Sequence, residues 1–339
     1  MTGKLKALQL GRALDGLRLK APFRISGHVF ETVPVLTVTL SQGSCKGEGE
    51  AAGVYYFKDL PPSMAETLDG VAAEIEAGLG REDLRKLLPS GGTRNAVDCA
   101  LWDLESQLAN RPVWALAGLE APKPRLTTFT VGADAPDMVA AGAKAYRGAR
   151  ALKLKLTGET DIDIERVRAA RRARPDVWMG VDANQGFTPA SLEPLVPVLL
   201  ECDVSLLEQP FARGREKDME GLKLPIPVAA DESCQNLEEL ETLPGRFDVV
   251  NIKLDKCGGL TEGLMMAARA KQLGLKVMVG NMVGTSLAMA PAFVLGQLCD
   301  VVDLDGPVVL VQDRQPSVRY DNGEIWCPPA VWGGHGDNA

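Results

Sequence analysis

Eight short apolar runs recur through the last two thirds of this 339-residue chain: LTTFTV (126–131), ALKLKL (151–156), VWMGVDAN (177–184), VSLLEQP (204–210), PVAADES (227–233), FDVVNIKLDK (247–256), KVMVGNM (276–282) and DVVDLDGP (300–307). Each has the length of a strand, and helical patterns lie between them. That alternation marks βαβ units and a parallel sheet. Eight such units predict an α/β fold built as a (β/α)8-type barrel. One intervening helix follows YRGARALKLKL: Ile162, Ile164, Val167 and Ala170 line one side, its arginines form a solvated face, and Pro175 ends it.

Near the C-terminal ends of seven runs stand Lys155, Asp182, Glu208, Asp231, Lys256, Asn281 and Asp303 with Asp305. The first residues of these sets are 27, 26, 23, 25, 25 and 22 positions apart. Polar side chains recurring once per unit converge at one mouth of a barrel, where barrel enzymes carry out their chemistry. In ALKLKL, alternate side chains share a face. The leucines belong under the surrounding helices, so Lys153 and Lys155 point inward.

Asp182, Glu208 and Asp231 come from three consecutive runs. Three inward carboxylates repel one another and stay ionised together only with a cation. Oxygen-only ligands suit a hard ion, Mg²⁺, one per subunit. Lys155 and Lys256 flank the three and would reach the ion from opposite sides. A lysine is a base only when its pKa is depressed, by desolvation or a like charge, which Lys153 and the metal provide. Mg²⁺ with two opposed lysines points to one reaction: α-proton removal from a carboxylate substrate through a stabilised enediolate, with return on the other face. The two histidines, His28 and His335, lie outside the barrel runs, which excludes a histidine base there.

Composition narrows the class. A net charge of −8 leaves no basic excess for nucleic acid. Seven scattered cysteines without a CxxC pair fit buried thiols in a reducing cytoplasm. The N-terminus has no apolar signal region, and the expected location is cytoplasmic. Val277–Cys299 carries no charge over 23 positions, but its glycines, polar residues and proline read as a buried strand and helix, not a membrane span. GEGEAAG (47–53) is too acidic to cradle phosphate.

The residues before the barrel read as a second, α+β unit. Val33–Leu40 and Cys45–Ala52 are strand candidates around the turn SQGS, and residues 62–118 are helical, including RNAVDCALWDL (94–104). Residues 1–118 would form one domain and 122–310 the barrel, with 311–339 returning to the first.

RNAVDCALWDL, the K-x-K of KLKL, VDAN, EQP, ADES and NIKLDKCGG together resemble the enolase superfamily, in its muconate-lactonizing-enzyme-like subgroup, over nearly the whole chain. The resemblance implies an enolase-like modified TIM barrel under an α+β capping domain. It implies Asp182, Glu208 and Asp231 as Mg²⁺ ligands and Lys155 and Lys256 as the acid/base pair, the lysine just before C-G-G being favoured over Lys253, the competing lysine of NIKLDK. DLDGP is similar to the Asp-x-Asp of dipeptide epimerases, where both aspartates, here Asp303 and Asp305, hold the substrate's α-ammonium group. The implied reaction is epimerisation of L,L-dipeptides at the α-carbon of the C-terminal residue. N-acylamino-acid racemases and muconate-type cycloisomerases share the metal and lysines and remain alternatives, and a non-enzymatic barrel is a third. Candidate substrate contacts are Lys153, Asp303, Asp305, Thr130, and the loop residues Arg24, Phe30 and Tyr55. Phe30 stands where an arginine for a distal carboxylate is expected, and Tyr55, Tyr56 and Phe57 add aromatic surface, so the accepted dipeptide is expected to be hydrophobic or mixed. The partner is a small dipeptide, with no nucleic acid and no membrane. Family members are often homo-oligomers, and no feature here requires or excludes one.

Overall fold

The computed structural model describes residues 7–25 and 28–334, apart from the side chains of residues 23–25, 28 and 30. Three antiparallel strands open the chain: β1 (Gln9–Ile25), β2 (His28–Gln42) and β3 (Cys45–Ala51), in the order β1-β2-β3. Residues 22–32, read from the sequence as a loop, are therefore strand on both sides of positions 26–27. Most of β1 is exposed, with charges every few residues, and lacks the clean alternation that reveals a half-buried strand.

β2 alternates as its sequence demands. Leu36, Val38 and Leu40 are fully buried against Met64, Leu68, Ala96, Ala100, Leu101 and Leu104. The helix Gly92–Ala109 supplies the last four of these. The glycines of GEGEAAG serve this packing. A Cβ on Gly47 would lie 2.2 Å from the Ala100 carbonyl oxygen, and one on Gly49 would lie 2.1 Å from that of Ala96. Only a side-chain-free strand approaches a helix backbone so closely.

The next short strand, β4 (Arg125–Leu126), precedes eight parallel ones: β5 (Phe129–Val131), β6 (Ala151–Lys155), β7 (Trp178–Asp182), β8 (Leu206–Glu208), β9 (Val228–Ala230), β10 (Val249–Lys253), β11 (Lys276–Gly280) and β12 (Val301–Val302). They lie in sequence order across one sheet, one strand from each apolar run. The Thr128 N–H donates to the Val302 carbonyl at 3.0 Å, and the Leu304 N–H to Thr127 Oγ1 at 3.0 Å, so the first and last staves meet. β13 (Arg319–Asp321) and β14 (Glu324–Trp326) then return to pair with β4. The 23-residue uncharged run divides into β11, a loop, and the helix Ser286–Gly296. Among the described residues no helix is long and apolar enough to cross a membrane.

The arginine-rich helix forms at Thr160–Ala173, but its arginines are not all a solvated face. Arg166 is buried; it pairs with Asp163 at 2.8 Å and donates to the carbonyls of Ala133 and Asp134. The two carbonyls come from a preceding loop, which helical periodicity cannot show.

The first sheet's helix is bound to the barrel by a buried carboxylate. Asp98 accepts from Thr261 N at 2.9 Å and Thr261 Oγ1 at 2.5 Å. Burial pushes its pKa up to about 6. A raised acid contributes stability that is complete below its unfolded pKa of about 4 and is lost as pH rises through about 6. Asp98→Asn removes the ionisation, so the fall in urea midpoint between pH 4 and 7 becomes shallower in the variant. An unchanged slope would assign the pH dependence elsewhere.

Candidate active site

Strand register assembles the site. Lys155 pairs with Asp182, Asp182 with Glu208, and Glu208 with Ala229, so the first three stand in one row across β6, β7 and β8. Asp231 follows the last residue of β9 and joins them. One ligand oxygen from each of Asp182, Glu208 and Asp231 lies within 4.8 Å of the others, and all three residues are essentially inaccessible.

The lysine faces are settled by β6. All five of its residues are buried, with Leu152 and Leu154 in the apolar core and Lys153 and Lys155 on the cavity. Lys155 Nζ donates to Asp182 Oδ2 at 2.6 Å. Lys153 pairs closely with Asp303 Oδ2 and lies 3.4 Å from Glu208 Oε2 and 3.7 Å from Asp182 Oδ2. Burial alone would lower its pKa, but the charges of Asp303, Glu208 and Asp182 outweigh that and hold it well above the usual lysine value. Lys153 is a fixed ammonium.

On the other side the cavity is lined by a different lysine from the one the sequence reading preferred. The lysine that lines the cavity opposite Lys155 is Lys253, whose Nζ donates to Asp231 Oδ2 at 2.7 Å. Lys256 is not among the lining residues. β10 ends at Lys253, and a short helix, Leu254–Cys257, carries Lys256 behind Asp231. Period-two alternation puts Asn251 and Lys253 on the same inward face. Strand parity was the signal that would have chosen Lys253; interval spacing along the chain cannot see where a strand stops.

Electrostatics follow from this crowding. Burial works to raise all three carboxylates. In Asp231 the charges of Lys253 and Lys256 prevail and hold it well below the usual range; in Asp182 those of Lys155 and Lys153 lower it. In Glu208 burial and the Asp182 charge win, pushing it up to about 7. The triad therefore still lacks positive charge at Glu208. Its donors are all oxygen, which selects a hard cation. Asn184 Oδ1, Glu232 Oε2 and Asn251 Oδ1 are buried beside these residues with no hydrogen-bond partner among the described residues, acceptors to spare for a hydrated ion. The residues fit Mg²⁺. A one-site ligand at about 100 times its Kd adds about 2.7 kcal/mol of stability, worth roughly 5 °C in Tm for a chain of this size. Calorimetry in excess Mg²⁺ against EDTA should show that rise, and Asp231→Asn should remove it.

Asp303 and Asp305 both line the cavity, but differ. Asp303 is already engaged by Lys153 and by the Thr128 hydroxyl. Asp305 accepts from the Thr130 N–H, at 2.6 Å, through Oδ2. Burial, then the Asp303 charge, raises its pKa. Thr130 and Tyr55 also line the cavity. The side chains of Arg24 and Phe30, and His335, lie outside the described residues. The sequence reading did not single out Glu232, Asn184, Leu60, Met282 or Val283, all of which contribute to the wall.

Two family models cover most of the chain. Residues 10–118 match the mandelate racemase / muconate lactonizing enzyme N-terminal domain, and residues 137–333 match the enolase C-terminal domain-like family. The chain belongs to the enolase superfamily. It is 37% identical over 309 residues to the L-Ala-D/L-Glu epimerase of Escherichia coli K12, covering 91% of this chain and 96% of that one. It is 38% identical over 253 residues to an N-acetyl-D-glutamate racemase of a Pseudoalteromonas species, covering 74% and 79%. A solved dipeptide epimerase of Methylococcus capsulatus, complexed with Mg and the dipeptide L-Arg-D-Lys, superposes with a TM-score of 0.89 at 26% identity, covering 95% of this chain and 97% of that one. This enolase-superfamily member is an enzyme, an isomerase of the epimerase and racemase kind.

Proposed function

We propose that the enzyme inverts the α-carbon of the C-terminal residue of L,L-dipeptides by proton transfer between Lys155 and Lys253. The observation that carries this reading is the placement of the two lysines against opposite ends of the carboxylate triad, in one cavity with Asp305. Bound by Asp182, Glu208 and Asp231, Mg²⁺ would supply a Lewis acid for the substrate carboxylate and positive charge for the electrons left when the α-proton departs. The chain's own residues do the rest. Asp305 Oδ1 receives the α-ammonium group, for which a buried, under-compensated carboxylate is the natural partner. Lys153 holds a positive charge at the cavity wall and keeps Asp303 in place. One of Lys155 and Lys253 takes the proton from its face, and the other returns one on the opposite face. Burial lowers the pKa of Lys253, but Asp231, Glu208, Glu232 and Asp182 together raise it well above the usual value. Lys253 becomes a base only when those carboxylates are engaged elsewhere.

The far wall defines the accepted side chain. Val33, Pro34, Leu60, Met282 and Val283 line the same cavity as Tyr55 and Tyr56. Such a surface favours an apolar side chain by about 25 cal/mol per Å² buried. Incubation with Mg²⁺ and pooled L,L-dipeptides in D₂O, read by mass spectrometry, tests both statements. One-unit gains concentrated in L-Ala-L-Leu and L-Ala-L-Phe are expected. Gains confined to L-Ala-L-Glu would refute the apolar wall's role, and gains in no dipeptide would refute the dipeptide reading. The relative acting on N-acetyl-D-glutamate favours a second reading, an N-acylamino-acid racemase. N-acetyl amino acids in the same pool decide between the two.

A further inference from the structure

Lys256, displaced from the cavity, is left with a different task. Its ammonium has three N–H donors, and the structure supplies three acceptors: the Asp231 carbonyl at 2.5 Å, Asp231 Oδ1 at 2.7 Å and the Asn251 carbonyl at 3.0 Å. The group is 2% exposed and has no donor left for a substrate. Asn251 in turn donates through Nδ2 to Glu208 Oε1 at 2.7 Å. One buried cation thus holds the backbone and one carboxylate oxygen of Asp231, and steadies the strand residue that holds Glu208.

The short helix bearing Lys256 is itself fixed from the first domain. Arg94 Nη2 donates to the Cys257 carbonyl at 2.5 Å, and Arg94 Nε to that of Gly258 at 3.2 Å. The two glycines of KCGG make this approach feasible. Gly258 has φ +81°, and a Cβ there would meet Arg94 Nε at 2.2 Å. Gly259 has φ +114°, and a Cβ there would meet Asp98 Oδ2 at 2.4 Å.

We infer that Lys256 is a positioning residue: it captures Asp231 Oδ1 so that Oδ2, the oxygen that Lys253 touches, is the one presented to the metal. The inference rests on Asp231 being a metal ligand, and the test separates the two. Mg²⁺ is titrated calorimetrically, without substrate, into full-length wild type, Lys256→Met, Lys256→Gln, Lys253→Met and Asp231→Asn. Lys256→Met should weaken Mg²⁺ binding roughly 10- to 100-fold, as loss of a group that orients a ligand does. Lys256→Gln keeps amide donors and should recover part of the loss. It also carries the test should the methionine variant fail to give a native circular dichroism melt. Lys253→Met should bind Mg²⁺ at least as well as wild type, because only a competing cation is removed. Wild-type affinity in Lys256→Met or Lys256→Gln, accompanied by lost proton exchange, would overturn the inference and make Lys256 a proton carrier. Unchanged binding in Asp231→Asn would instead overturn the metal assignment beneath it.

Discussion

Lys253→Met should slow epimerisation by roughly 10²- to 10⁴-fold, the range of a lost general acid/base. The residual chemistry is the informative part. With Lys253 gone, Lys155 still lines the cavity, and in the proposed mechanism it serves one face of the α-carbon. The epimer whose hydrogen points at Lys155 continues to exchange with D₂O, and the other does not. Lys155→Met gives the mirror result. Proton NMR of each epimer, followed separately in D₂O, reads this directly. Exchange surviving equally in both epimers of either variant would rule out one lysine per face. Lys256→Met differs in kind, because its defect lies in Mg²⁺ affinity.

Asp305→Asn should lower kcat/KM for dipeptides by roughly 10- to 100-fold, the worth of about 1.5–3 kcal/mol for a hydrogen bond to a charged group. Activity on N-acetyl amino acids, which carry no ammonium, should hold or rise, since the substitution removes a buried charge from beside Asp303. The same change at Asp303 is less selective. Asp303 balances Lys153 and accepts from Thr128, so its loss leaves a buried ammonium short of an anion whatever the substrate. A dipeptide rate unaffected by Asp305→Asn would remove the ammonium site and with it the preference for dipeptides.

The barrel was legible because each strand is short, apolar and bounded by a helical pattern. Buried parallel strands have little freedom to read otherwise. Asp182, Glu208 and Asp231 were legible for a related reason: the strands are in sequence order, so neighbouring strand ends are neighbouring side chains. The lysine that lines the cavity is Lys253; the choice of Lys256 over it, made on the resemblance to the family's lysine before C-G-G, turns on a difference of three residues at a strand end. There the backbone turns into the helix Leu254–Cys257 and carries the second lysine behind the site. Residues 1 to about 60 read as β-rich, but β1 could not be bounded because an exposed strand with charges on both faces leaves no period to detect. The burial of Arg166 and Arg94 was not legible because each also donates to backbone carbonyls of segments far along the chain.

The C-terminal segment also bears on how the protein is made. Trp332 Nε1 donates to the Glu48 carbonyl at 2.9 Å, the Gly333 N–H to Asp103 Oδ1 at 2.9 Å, and the Val113 N–H to the Gly333 carbonyl at 2.7 Å. The first sheet and its helix leave the ribosome early, yet these carbonyl, carboxylate and amide groups wait for residues 332 and 333. Until those residues emerge, the first-made part of the molecule stands open along one seam. A nascent chain stalled at residue 316 should therefore be cut by protease near Glu48 and Asp103, and the released full chain should resist at the same points.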